Sequence, residues 1–480
     1  RRPARRGRGR QRSDAVTGTP IALGNSPARP VAAPPKPYRF PRFEIASLDN
    51  GLRVIVAPVR MLPVVTALLL VDAGASAEPA GRDGVANLAA RGLLEGTMRR
   101  DGNALTEQFE RLGAGVFAGA DWDTGNVGVT VLRAHLEPAL ALLGELVLAP
   151  SFPERDIARL RAERLADLLQ MRTEPRGLAD EMFARFVYDP MSRYARPEEG
   201  GSDTVATLTR DDVRRFYMER YRPRGSTLVL VGDLSVDEGR DLARRMLGDW
   251  DGTAVRGAPP SEAPARTTRA VHLVRKPDAP QSELRIGHIG LPRAHPDYFP
   301  VLVMNAVLGG LFSSRINLNL REEHAYTYAA FSGFAWRRGA GPFVASTAVE
   351  SDVTADAARE VLKEIDRIRS APITADELSL ATSYLGGVFP IKYETTDAIA
   401  RALAALVAYD LPIDYFDTYR DAVRAVTIAD VQGAAVQYLH PDALQVVVVG
   451  DASQVRAPVA AMEIGPLLEY GADGVEISTD

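Results

Sequence analysis

No cysteine occurs among the 480 residues, which excludes disulfides and thiolate-held metals but leaves the redox compartment open. Histidine is scarce. The six present, His135, His272, His288, His295, His324 and His440, include no pair three or four residues apart, so no helical two-histidine zinc clip can form. No uninterrupted run of 18 apolar residues appears, which argues against a membrane span and predicts a soluble chain. Aromatic residues are absent from the first 37 positions, where seven prolines and a run of arginines sit instead. Such a stretch lacks the apolar surface to offset the entropy of ordering, and it predicts a disordered leader over 1–37.

What is present is an acidic body behind that basic head. The formal charge is −5, and RRPARRGRGRQR carries seven arginines and no acid, so the rest stands at −5 − 7 = −12. An acidic body repels phosphate backbones, and the head lacks aromatic residues for base stacking, so no nucleic-acid partner is expected. At 46% hydrophobic and 25% charged the remainder has globular composition, long enough for several domains. Short alternating β-like runs begin at Phe43 (FEIASL, LRVIVAPV, VVTALLLVDAG), and a helical stretch, GVANLAARGLLEGT, occupies 84–97.

A long-range repeat gives the organisation. Val205–Ser235 aligns without gaps to Val423–Ser453, with ten of 31 positions identical. Each copy reads as a helix opened by a threonine cap (Thr209, Thr427), a proline-marked turn (Pro223, Pro441) and a valine-rich buried strand ending in Gly-Asp. Helical patterns at 153–172 and 374–389 precede the two copies. An offset of 218 residues means a duplicated domain rather than a solenoid unit. The expected plan is α+β: a domain at 38–250, a Pro-rich linker at 251–268, a homologous domain at 269–465 and a tail at 466–480, each domain an antiparallel-rich sheet covered by helices.

With that duplication, GVANLAARGLLEGT resembles the motif helix of the insulinase and pitrilysin family, in its bacterial, mitochondrial-processing-peptidase-like branch. Active members carry His-x-x-Glu-His there: two histidines one turn apart grip zinc, the glutamate serves as general base, and a distant carboxylate completes the site. Gly84, Val85, Ala86, Gly96 and Thr97 match the frame, but Asn87, Ala90 and Arg91 replace the first ligand, the base and the second ligand, and the distant position falls at Asp167. An amide, a methyl group, a guanidinium and one carboxylate cannot retain zinc, so this chain is expected to hold no metal and to be inactive alone. From the residues themselves, 84–97 is an amphipathic core helix with Val85, Ala89 and Leu93 on its buried face.

The resemblance is fuller at LGGLFSSRINLNLREEHAYTYAAFSGF, 308–334, which is similar to the family's Ser-Arg-Leu-x-x-x-Leu-Arg-Glu segment and the tyrosine strand after it. The spacing by itself favours Arg321 paired with acids and Tyr328 packed on a strand. The resemblance implies instead that Arg321 and Tyr328 contact substrate and its oxyanion, as donors working in trans at a partner's site. Gly309, Gly310, Ser313 and Ser314 are read as a tight turn rather than a phosphate cradle, since no Gly-Lys-Ser/Thr follows. The resemblance further implies a heterodimer with a homologous His-x-x-Glu-His subunit that supplies the zinc, peptide substrates, and a periplasmic or exported setting, with the cytoplasm as the other option. A purely structural role, like that of respiratory-complex core proteins, is the contrasting expectation.

Overall fold

A computed structural model of the chain describes residues 37–254 and 259–478. The predicted leader lies outside the described residues except for Pro37. The described residues from Arg39 onward form one compact unit.

Among the described residues, twelve strands make two six-stranded mixed sheets. The first holds β1 (Glu44–Ser47), β2 (Arg53–Pro58), β3 (Val64–Val71), β4 (Gly115–Ala120), β5 (Gly125–Leu132) and β6 (Thr227–Gly232), in the order β1-β2-β6-β3-β5-β4. The second holds β7 (Ala270–Arg275), β8 (Gln281–Ile289), β9 (Ala330–Phe334), β10 (Pro342–Glu350), β11 (Gln445–Gly450) and β12 (Leu467–Tyr470), in the order β12-β7-β11-β8-β10-β9. Five strands correspond one to one. In each sheet the first long strand pairs parallel with the repeated Gly-Asp strand (β2 with β6, β7 with β11), and the pairs beyond it are antiparallel. The fully buried β6 and β11 are the strands of the sequence repeat, and the helices before them, Arg210–Arg220 and Ile428–Tyr438, both open with a Thr–Asp capping box.

The edge strands differ. β1 enters antiparallel from the N-terminal side, whereas β12 lies parallel to β7 and comes from the C-terminal side. Residues 467–470, expected as tail, are therefore sheet. Four residues with Leu467 and Leu468 half-buried are too short for a strand signal, and only pairing to β7 orders them.

The two halves also exchange helices. Pro175–Val187, from the N-terminal half, packs on β8 and β11 of the second sheet, burying Leu178, Met182, Phe183 and Phe186 beside Val274, Val447, Val449 and Tyr470. Thr396–Ala408, from the C-terminal half, packs on β3 and β6 of the first sheet, where the Thr396 and Thr66 hydroxyls lie 2.9 Å apart. Nor is the described part of the linker free, for its residues Ala263 and Ala265 hydrogen-bond to the backbone of Asp189 and Val187. Within the described residues, one helical run, Tyr298–Glu323, is long and apolar enough to cross a membrane, but 56% of its apolar 18-residue stretch is buried inside the fold.

Candidate functional site

The motif helix Val85–Gly92 opens at Gly84, whose φ of 98° favours glycine, and buries Val85, Ala89 and then Leu93 as the periodicity predicts. Its N-terminus is held by a carboxylate. Glu78 Oε1 accepts from the amides of Gly84 (2.8 Å) and Ala86 (2.9 Å), and Oε2 accepts from Arg193 Nε at 2.9 Å. Burial pushes the Glu78 carboxyl up to about 7, while Arg193 and the Ala86 amide pull it down. The groups that hydrogen-bond to Glu78 are all donors, while the nearby Asp83 carboxylate opposes its charge. Arg193 also approaches Asp83, which pairs with Arg196, and its guanidinium donates to the carbonyls of Arg196, Pro197 and Glu198. Spacing gives no hint of this network, because Glu78 and Arg193 are 115 residues apart.

Asn87 is half-buried, Ala90 is fully buried, and Arg91 turns toward the helix Glu154–Thr173. There its Nη2 lies 3.0 Å from Glu163, which also pairs with Arg159, itself bonded to Glu95. The carboxylate facing Arg91 is thus Glu163, and Asp167 sits one turn further along, exposed. Arg159 first, with help from Arg91, holds the Glu163 carboxyl below its usual range. A cation here would displace a guanidinium already neutralised by its partner, so these side chains do not fit zinc. Among the described residues no group of three His, Asp or Glu side chains is placed to hold a metal. The fold does bring His288 and His440 together, with ring centres 5.0 Å apart. Yet His288 lies with Nδ1 2.7 Å from the Ile289 carbonyl while Nε2 accepts from the His440 amide, which leaves neither nitrogen for a ligand.

In the second half, the helix Tyr298–Asn305 runs into a π-helical turn, Ala306–Gly310, and the expected tight turn follows it at 311–314, where the Ser314 amide donates to the Leu311 carbonyl at 3.1 Å. Gly309 faces β9 so closely that a Cβ would stand 2.3 Å from Ser332 Oγ. A second π-helical turn, Leu318–Glu323, carries Arg321. Its guanidinium lies 4.4 Å over the Phe312 ring and 3.6 Å from Glu322, and its Nη1 has no hydrogen-bond partner among the described residues. Tyr328, two residues ahead of β9, is 92% exposed, and Phe312 is 62% exposed. So the structure sets both predicted donors on the surface of the second half, while the degenerate motif lies on the first. Beside the motif helix, β4 is the open edge of the first sheet, with Gly115 and Gly119 facing empty space.

Comparison with known proteins agrees with this geometry. The family model described as Insulinase (Peptidase family M16) matches residues 54–191, and the one described as Peptidase M16 inactive domain matches residues 207–385. Bovine mitochondrial cytochrome b-c1 complex subunit 1 is 27% identical over 269 residues, 56% of this chain and 56% of that protein's own length. A Bacillus subtilis protein described as an uncharacterized zinc protease is 21% identical, covering 73% of this chain and 84% of its own. The human mitochondrial-processing peptidase subunit beta is 23% identical over 86% of each. Among solved structures, a peptidase M16 inactive domain from Pseudomonas fluorescens superposes with a TM-score of 0.80 at 27% identity, covering 85% of this chain and 98% of that one. A Helicobacter pylori protease superposes with a TM-score of 0.79 at 18% identity, over 86% and 100%.

Proposed function

The chain belongs to the insulinase family, peptidase M16, and we propose that it is a zinc-free subunit of a two-chain peptidase. Its partner is a homologous subunit with His-x-x-Glu-His that supplies metal and base. This chain presents Arg321 and Tyr328 to the partner's site and walls half of a cavity that takes extended peptides. One observation carries the reading: at the family's seven-residue spacing the Tyr328 phenol is 92% exposed, and the partly exposed Arg321 guanidinium has as its ion-pair partner among the described residues only its exposed neighbour Glu322, at 3.6 Å. An exposed tyrosine contributes little to a core and an exposed ion pair little to stability, so the pair suits contacts with something outside the chain. Donors aimed at a developing oxyanion raise rate without touching metal. The open edge of β4 suits a peptide that adds as a further strand. We place the pair in the periplasm or another exported setting.

The test is to purify the chain alone and with a His-x-x-Glu-His subunit and to follow cleavage of a quenched fluorescent peptide. Alone, it should contain no stoichiometric zinc and show no chelator-sensitive turnover. In the complex, Arg321→Ala should lower kcat about a hundredfold and Tyr328→Phe about tenfold, the range for losing one oxyanion donor or part of one. The likeness to the bovine cytochrome b-c1 subunit keeps a purely structural role as the rival, and unchanged turnover in both variants would decide for it.

A further inference from the structure

Arg321 and Tyr328 reach the surface from different pieces of backbone, and one buried side chain joins them. Asn317 is fully buried. Its Nδ2 donates to the Phe312 carbonyl at 2.6 Å, and its Oδ1 accepts from the Ala330 amide at 2.9 Å. Phe312 is the platform under the Arg321 guanidinium. Ala330 is the first residue of β9, two positions after Tyr328. Resting on the function proposed above, we propose that Asn317 is the positioning residue of the pair, fixing the separation of guanidinium and phenol.

The neighbouring contacts complete the mount. Ahead of Tyr328, Thr327 Oγ1 donates to the Ala348 carbonyl at 2.7 Å, so the backbone is pinned on both sides of an otherwise exposed ring. Beneath the π-helical turn, Asn319 Nδ2 donates to Glu360 (2.8 Å) and Glu364 (3.0 Å) on the helix Thr354–Ser370, which anchors the turn that carries Arg321. Such turns strain the backbone and recur at functional sites. The position needs a donor and an acceptor at once, and the Asn317 amide supplies them from two separate atoms, Nδ2 and Oδ1. An aspartate would turn an acceptor toward the Phe312 carbonyl, and an alanine would leave a buried carbonyl and a buried amide unpaired.

The full chain bearing Asn317→Ala, and separately the near-isosteric Asn317→Asp, tests this in two ways. In the chain alone, amide exchange over 326–334 should speed up at least about tenfold while β8 and β10 keep their protection. In complex with the His-x-x-Glu-His subunit, kcat on the quenched peptide should fall about tenfold with KM little changed, as misplacing a reacting group by a fraction of an ångström does. The same substitutions should cost nothing further in an Arg321→Ala, Tyr328→Phe background, where there is no pair left to position. Unchanged exchange over 326–334, or an equal loss in that background, overturns the inference. If instead Arg321→Ala and Tyr328→Phe leave turnover at the wild-type level, the trans-site reading fails, and the exchange result alone decides whether Asn317 holds the Tyr328 segment.

Discussion

At the scale of single residues, burial decides which titrations matter. His272 and His288 are each pushed down to about 4 by burial, His272 with Nε2 3.0 Å from Gln445 Oε1 and His288 closed between Ile289 and His440. An unfolded chain regains the ordinary value near 6.5, so between about 6.5 and 4 it binds protons that the folded chain refuses. The stability these rings contribute is therefore present above about pH 6.5 and lost as pH falls toward 4, by at most about 3 kcal/mol each. Glu78, raised by burial, works in the opposite sense between about 7 and 4.5, so the histidine contribution is isolated by difference. Melting temperature followed from pH 7.5 to 4.5 should fall less steeply in His272→Gln than in the wild type; parallel curves would contradict the assignment. Arg321 and Tyr328 stand out in the sequence only through the resemblance to the family's motif, whose seven-residue spacing they keep. The sequence could not show Glu163 opposite Arg91, or Asn317 between the pair, because those partnerships depend on which helix or strand lies alongside.

Among the elements, the motif helix shows what survives when a catalytic motif is lost. Its packing face was readable from Val85, Ala89 and Leu93, and its left-handed entry from Gly84. Its restraint by Glu78 and Arg193 came from segments far apart in the chain. Glu78→Ala should cost about 3–5 kcal/mol, because it removes the carboxylate paired with the buried Arg193 guanidinium and leaves two helix-opening amides without their acceptor. Arg91→Ala, at a partly exposed pair, should cost under about 1 kcal/mol. Denaturant titration of both variants checks the order, and a mild Glu78→Ala would mean that the carboxylate does not hold the helix. Elsewhere the threonine caps at 209 and 427 were legible as local chemistry. The π-helical turns at 306–310 and 318–323 were not, since no local residue pattern marks where a helix widens by a residue.

For the whole molecule, the exchanged helices turn two homologous halves into one folding unit. Residues 1–254 produced alone would leave Leu178, Met182, Phe183 and Phe186 without the second sheet, an exposed apolar face of the kind that drives association. That fragment should aggregate or elute as an oligomer, and co-production with 259–480 should restore a monomeric-sized 1:1 complex on size exclusion. A cooperative, monomeric half by calorimetry would show that the exchange is dispensable. By itself the sequence determined the duplication and the buried repeat strands, which are written in local residue types and periodicity; the degenerate zinc motif and the seven-residue spacing of Arg321 and Tyr328 were readable only through the resemblance to the family. Tertiary structure alone decided that β12 closes the second sheet, that each sheet takes a helix from the other half, and that Asn317 spans the Arg321 platform and the Tyr328 strand. Those outcomes rest on apolar faces and single hydrogen-bonding groups that can be satisfied by any complementary surface, and only the packed chain selects which one.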